Sequence, residues 1–223
     1  MMISVMLVDD DELMRAGIGL ILNRTDGIEV VGEAPDGASA LIVAEATKPD
    51  IVLMDIRMPG LDGIEATREM TSRGPRPRVI MLTTFDVDDY VFESLRAGAS
   101  GFLLKRAAPD ALIEGIRTVA RGEGLLSPVM TRRLIEEFTL SSPRPNEAEK
   151  RVQRLTDRER EVLKQIGRGL TNRELGEKLF IAESTVKTHI KRVLSKIAAR
   201  DRIHAVVIAY ESGLMDNDPN SPL

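Results

Sequence analysis

Short apolar runs recur through the first half of the chain, at residues 3–8, 28–31, 51–54, 79–82 and 101–104. The third, Ile51 to Met54, contains no polar residue, as in a strand buried on both faces of a parallel sheet. Between the runs, apolar residues take helical spacing: Leu13, Ile18, Leu20 and Ile21; Leu41 and Ala44; Ile64 and Met70; Tyr90, Val91 and Leu95; Leu112, Ile113, Ile116 and Val119. Five strands alternating with five helices predict a doubly wound, five-stranded parallel sheet with helices on both faces. With the flavodoxin-like strand order 2-1-3-4-5, the loops after strands one, three, four and five converge on one edge.

The pattern changes in the second half. Thr156-Asp157-Arg158-Glu159 and Thr171-Asn172-Arg173-Glu174 are capping-box patterns, each opening a helix, with Gly167 and Gly169 between them. Leu175, Leu179 and Ile181 supply a buried face, and the periodicity breaks before Glu183. The next helix has Val186, Ile190, Val193, Leu194 and Ile197 inside, with Lys187, Thr188, Lys191, Arg192 and Lys196 outside. Two helices joined by a tight turn, the second basic along one side, predict a helix-turn-helix with a major-groove reader. The plainer alternative is a basic solvated helix in a small bundle. A last helix carries Ala205, Val206, Ile208 and Ala209, more apolar surface than an isolated four-helix module is expected to bury.

Between the halves, Gly122 and Gly124 end the last helix of the first part. Ser127-Pro128 then predicts a short helix to about Phe138, and residues 141–146 read as a flexible linker. The expected division is residues 1–122, a linker with a short helix over 123–150, a basic module over 151–216, and a disordered tail over 217–223.

Charge sharpens this division. Residues 1–125 hold 13 Lys and Arg against 21 Asp and Glu, a net -8, whereas residues 150–210 hold 15 against 7, a net +8. Opposite signs in two halves suggest two domains, the second suited to a polyanion. No apolar run approaches the roughly 18 residues of a membrane span, and no secretory signal is recognisable. The chain has no cysteine, which excludes disulfide and thiolate chemistry and fits a cytoplasmic protein. Both histidines, His189 and His204, lie near the C-terminus, so histidine chemistry in the first half has to come from another molecule.

The expected strand ends carry Asp9, Asp10, Asp11 and Glu12 after the first strand, Asp55 after the third, Thr83 and Thr84 after the fourth, and Lys105 after the fifth. Carboxylates gathered at one edge repel, and a hard divalent ion, Mg²⁺ above all, resolves that conflict. A Lys and a hydroxyl beside carboxylates and Mg²⁺ are the parts needed to hold a phosphoryl group. Asp55 is then a candidate carboxylate nucleophile. Asp11 and Glu12 fit a first helical turn better than a ligand set.

These residues carry a resemblance. Leu7-Val8-Asp9-Asp10, Met54-Asp55-Ile56-Arg57-Met58-Pro59-Gly60, Leu82-Thr83-Thr84 and Gly101-Phe102-Leu103-Leu104-Lys105 resemble two-component receiver domains. Leu155-Thr156-Asp157-Arg158-Glu159, Gly169-Leu170-Thr171-Asn172-Arg173-Glu174-Leu175 and Ser184-Thr185-Val186-Lys187-Thr188-His189 resemble the LuxR-type DNA-binding domain. Together they are similar to a NarL/FixJ-type response regulator. The resemblance implies that Asp55 accepts phosphoryl from the phosphohistidine of a sensor histidine kinase. It implies that Asp9, Asp10, Asp55 and the backbone carbonyl of Arg57 hold Mg²⁺. Thr83 would bond a phosphoryl oxygen, Lys105 would pair with its charge, and Phe102 would swing inward with Thr83, changing the face of the fourth helix, fifth strand and fifth helix. Lys187, Thr188 and Lys191 would face base edges or nearby phosphates of promoter DNA, with Arg192 and Lys196 as phosphate contacts. Two copies would pair through the last helix and read half-sites related by a two-fold axis.

Departures from the family pattern stand out. Arg106 follows Lys105 where an acid is common, Ala182 replaces a Ser N-cap, and Gly176 replaces a small Ala. His189 fits either a phosphate contact or packing, and His204 is expected on the surface. Two rival readings remain: a Mg²⁺-dependent phosphatase or phosphotransferase using Asp55, and a receiver that works by dimerisation without phosphate. The first would want a second acid near the nucleophile, where Arg57 stands instead; the complete acidic set with Lys105 argues against the second. The expected protein is therefore a regulator and not an enzyme.

Overall fold

The computed structural model describes residues 2–74, 76–83, 88–124 and 147–215, without the side chains of residues 88, 89 and 92. The chain divides into two compact units, Met1–Leu125 and Leu126–Leu223. The short helix expected from Ser127, the linker at 141–146 and the tail from 217 lie outside the described residues.

In the first unit, β1 (Ile3–Val8), α1 (Glu12–Asn23), β2 (Ile28–Ala34), α2 (Gly37–Thr47), β3 (Ile51–Asp55), α3 (Gly63–Ser72), β4 (Arg78–Thr83), α4 (Asp88–Ala97), β5 (Gly101–Leu104) and α5 (Pro109–Ala120) alternate strictly. The five strands form one parallel sheet in the order β2-β1-β3-β4-β5. β3 sits at its centre, and all five of its residues are buried, which is why that run lacks polar alternation. Val5, Leu7, Ile51, Leu53, Ile80 and Leu82 share one core with Ile18 and Leu22 of α1 and Leu112, Ile116 and Val119 of α5. The alternate residues Met6, Val52, Met54 and Met81 are fully buried as well, toward α2 and α3. β2 runs three residues past the expected end because, after a register shift between Val5 and Met6, Gly32 to Ala34 go on pairing with Met6 to Val8. Asp11, Asp36 and Asp62 cap α1, α2 and α3 with their carboxylates.

The second unit contains α6 (Glu147–Gln153), α7 (Asp157–Gly167), α8 (Asn172–Leu179), α9 (Glu183–Lys196) and α10 (Arg202–Glu211). Both capping boxes form: Thr156 with Glu159 opens α7, and Thr171 with Glu174 opens α8. Val162, Leu163, Ile166, Leu175, Val186, Val193 and Ile197 are fully buried where α7, α8 and α9 meet. Phe180 ends α8 in the left-handed region (φ 55°) and turns the chain into α9. Ala182 occupies the N-cap of α9 and makes no side-chain cap bond.

Two expectations change here. Ala205, Val206, Ile208 and Ala209 were expected to outrun the module's core; they are between 0% and 5% exposed, so α10 is already covered within this chain. Part of the cover is α7, and part is α6, a helix absent from the expected linker, which packs on α10. His204, expected on the surface, is half-buried. Its Nδ1 accepts the Arg200 backbone N–H at 3.3 Å, and the Asp201 carboxylate accepts the His204 backbone N–H at 2.9 Å.

Candidate functional site

The C-terminal ends of β1 and β3 place Asp9 and Asp55 side by side at the sheet edge, because β1 and β3 are neighbours with Val8 opposite Met54. Both are buried, at 2% and 7% exposure, whereas Asp10 points to solvent. One oxygen from each of the three lies within 4.8 Å of the others. Lys105, just past β5, is anchored by its backbone N–H, which donates to the Thr83 carbonyl at 2.7 Å. Its Nζ stands 2.7 Å from Asp9 Oδ2 and 2.9 Å from Asp55 Oδ2. Thr83 is buried at the end of β4, and Phe102 is buried on β5 opposite Met81. Arg57 is exposed in the loop after β3, and Thr84 lies outside the described residues. Asp11 accepts the Leu13 and Met14 N–H groups as a helix cap.

Burial pushes the Asp55 carboxyl above its ordinary range; the Lys105 ammonium offsets part of this, and the neighbouring Asp9 adds to it. Burial also works against the Lys105 ammonium, but its bonds to Asp9 and Asp55 outweigh that and hold it above its ordinary value. A lysine clamped between two buried carboxylates stays charged, and a phosphoryl group arriving at Asp55 would meet a cation already in place. All candidate donors at this edge are hard oxygens, the set that suits Mg²⁺.

On α9, Lys187, Thr188, Lys191 and Arg192 are exposed along one side. Lys187 Nζ lies 3.3 Å from Glu183 one turn back, a surface pair of small worth. Lys191 and Arg192 form no ion pair among the described residues. Lys196, expected as a phosphate contact, is exposed as well, and its Nζ lies 2.7 Å from Oε2 of Glu159, the carboxylate that closes the α7 capping box.

Residues 5–117 match the model of the response regulator receiver domain, and residues 153–209 match that of the LuxR family of bacterial regulatory proteins. The chain is a two-component response regulator of the LuxR family. Among curated relatives of this regulator, an uncharacterized transcriptional regulatory protein of Bacillus subtilis, YxjL, is 45% identical over 213 residues, covering 96% of this chain and 97% of its own. The transcriptional regulatory protein LiaR of the same organism is 39% identical over 217 residues, with 96% and 100% covered. Among solved structures, the response regulator ChrA of a heme-sensing two-component system is 38% identical with a TM-score of 0.51, covering 96% of the regulator and 98% of that chain. The regulator is thus a DNA-binding protein of a transcription-regulating family.

Two residues that shape the acidic edge escaped the sequence reading. Gly63 begins α3 against the main chain of Asp55, with its N–H donating to the Ile56 carbonyl at 3.0 Å. Arg15, on α1, reaches back to the carbonyl of Asp9. Gly63 follows Asp55 by eight residues, so a glycine shortly after a strand-end acid was a usable signal. Nothing local marks Arg15.

Proposed function

We propose that the regulator is switched by phosphorylation of Asp55 from a sensor histidine kinase. A carboxylate oxygen of Asp55 attacks the phosphorus of the kinase phosphohistidine; the O–P bond forms as the P–N bond breaks, and the imidazole leaves. Lys105 then pairs with the phosphoryl charge, and Thr83 donates its hydroxyl to a phosphoryl oxygen. Thr83 and Phe102 shift together and change the face made by α4, β5 and α5. Asp9, Asp10, Asp55 and the Arg57 carbonyl would hold Mg²⁺, which when bound supplies positive charge to crowded carboxylates and phosphoryl oxygens. The chain acts as a phosphoacceptor and not as an enzyme with its own substrate.

In this reading residues 1–122 receive the signal. The DNA-binding module, extended from 151 back to Glu147 so as to include α6, delivers it. α9 enters the major groove of promoter DNA with Lys187, Thr188 and Lys191 toward base edges or phosphates and Arg192 on phosphate. Two copies bind half-sites related by a two-fold axis. Pairing through α10 would require its present cover to move. No helix among the described residues is long and apolar enough to cross a membrane, and kinase and promoter DNA would meet the regulator in the cytoplasm.

The observation that carries the proposal is Lys105 Nζ lying within 3 Å of both Asp9 and Asp55, in one chain with an exposed basic helix. The test incubates full-length protein with Mg²⁺ and acetyl phosphate or a phosphorylated kinase and resolves it on Phos-tag gels. Wild type should shift, Asp55→Asn should not, and promoter affinity should rise only for the shifted form. A wild type that never shifts sinks the proposal, and a footprint on one asymmetric half-site sinks the pairing.

A further inference from the structure

We propose that Arg15 is a positioning residue for the metal carboxylates, an inference that rests on the Mg²⁺ reading above. Arg15 lies in the first turn of α1, where its backbone N–H donates to the Asp11 carbonyl at 3.1 Å. That end of a helix favours anions, so a cation there gains nothing from the helix dipole. Yet its side chain is only 14% exposed and folds back over the loop between β1 and α1. Nη1 donates to the main-chain carbonyl of Asp9 at 2.6 Å. Nε sits 3.5 Å from Glu33 Oε2, close enough for an ion pair but without hydrogen-bond geometry, and its N–H is buried unmatched. A buried unmatched donor is a cost to stability. The guanidinium is therefore placed for the loop carbonyl at the expense of its own satisfaction.

The consequence is a clamp on the main chain of Asp9. Its N–H donates to the Ala34 carbonyl at 3.2 Å, and its carbonyl accepts from Arg15. Its carboxylate is held as well, with Oδ1 accepting the Asp11 N–H at 3.0 Å and Oδ2 beside Lys105. Asp10 is exposed, and its side chain makes no hydrogen bond or ion pair among the described residues. The Asp9 carbonyl and the Asp10 nitrogen share one rigid peptide plane, so a bond to that oxygen fixes where the Asp10 side chain leaves the chain. Glu33 completes the arrangement by drawing the guanidinium toward β2, away from three carboxylates that would otherwise attract it into the metal position.

Charge and position predict opposite signs. Removing a cation beside an acidic cluster should tighten Mg²⁺ by electrostatics, whereas loss of positioning should weaken it. Isothermal titration of full-length protein with MgCl₂ reads this directly, with melting curves in EDTA as the measure of folding. Arg15→Ala should bind Mg²⁺ about tenfold more weakly, the scale for removing a group that orients a metal ligand. Arg15→Lys, which keeps the charge but loses the planar fork, should fall between it and wild type. The inference is overturned if Arg15→Ala binds as tightly as wild type or tighter. If that variant does not fold, an Arg15→Lys protein indistinguishable from wild type overturns it. Wild type that binds no Mg²⁺ overturns the metal reading itself, a different result from wild type and Arg15→Ala binding alike.

Discussion

The first residue of α3, Gly63, abuts the main-chain carbonyl of Asp55 so closely that a Cβ would overlap the carbonyl oxygen and stand 3.0 Å from Met54 Cγ. The backbone of Asp55, the proposed phosphoacceptor, thus sets the identity of a residue eight positions later. Gly63→Ala is expected to cost about 3 kcal/mol, the upper range for overpacking a close contact, because neither partner is a flexible side-chain tip. Urea unfolding gives the cost, and Phos-tag shifts should show slower labelling of Asp55 in the variant. A variant with wild-type stability would mean the helix can slide away from the strand end at no cost.

Lys196 and Glu159 form a second relationship with a measurable consequence. The Lys196 ammonium and the Thr156 backbone N–H hold the Glu159 carboxyl down at about 2. Since the folded value lies below the unfolded one, this contribution is complete above about 4.5, the ordinary value for Glu, and is lost as pH falls toward 2. Glu159→Gln should flatten the acid limb of the unfolding curve in that window. Lys196→Ala should cost about 1 kcal/mol of stability, as for a half-exposed pair, and leave the salt dependence of DNA binding unchanged. Lys191→Ala should instead reduce the slope of log K against log salt by about 1. If Lys196→Ala lowers that slope equally, Lys196 contacts phosphate in the complex.

Legibility followed the range of the interaction. The buried run ending on Asp55 announced the central strand, and alternation with helices announced the parallel sheet, whose order came from the flavodoxin-like pattern. The two capping boxes were readable because Thr156 with Glu159, and Thr171 with Glu174, are three residues apart and act within one turn. The strand-end residues Asp9, Asp55 and Lys105 were legible because topology alone gathers strand ends. What escaped depends on neighbours distant in sequence. The His204 imidazole is burdened by the charge of Arg151 on another helix, Lys196 reaches back to Glu159, and Gly63 answers to a carbonyl on β3. α6 is seven residues long, with Ala148 and Val152 buried, too short for a periodic signal.

Ala182 stands at the N-cap of α9 with no side-chain bond to the first turn. Ala182→Ser is expected to stabilise the second unit by about 1 kcal/mol, seen as a higher melting temperature. Gly176 in the preceding helix offers no such gain. A Cβ there would meet the Ile181 carbonyl oxygen at 2.8 Å, so Gly176→Ala must move the turn that launches α9, and its helix-propensity advantage is offset. An Ala182→Ser protein no more stable than wild type would indicate that solvent already satisfies the first turn.

His204 gives the sharpest dependence on pH. Burial, with the Arg200 and Arg151 guanidinium groups adding to it, pushes its imidazole down to about 4 from an ordinary 6.5. Nδ1 already accepts the Arg200 backbone N–H, so protonation at that nitrogen would destroy the bond that holds the start of α10. Between the two values the unfolded chain binds a proton that the folded one does not. Stability is therefore complete above pH 6.5 and declines as the pH falls toward 4. The two values imply a loss of about 2 kcal/mol between pH 7 and pH 5. Urea unfolding at these two pH values checks the size, and His204→Gln should remove this slope while leaving the lower, Glu159-linked limb in place. A wild type equally stable at pH 7 and pH 5 would show that the imidazole is hydrated and titrates normally.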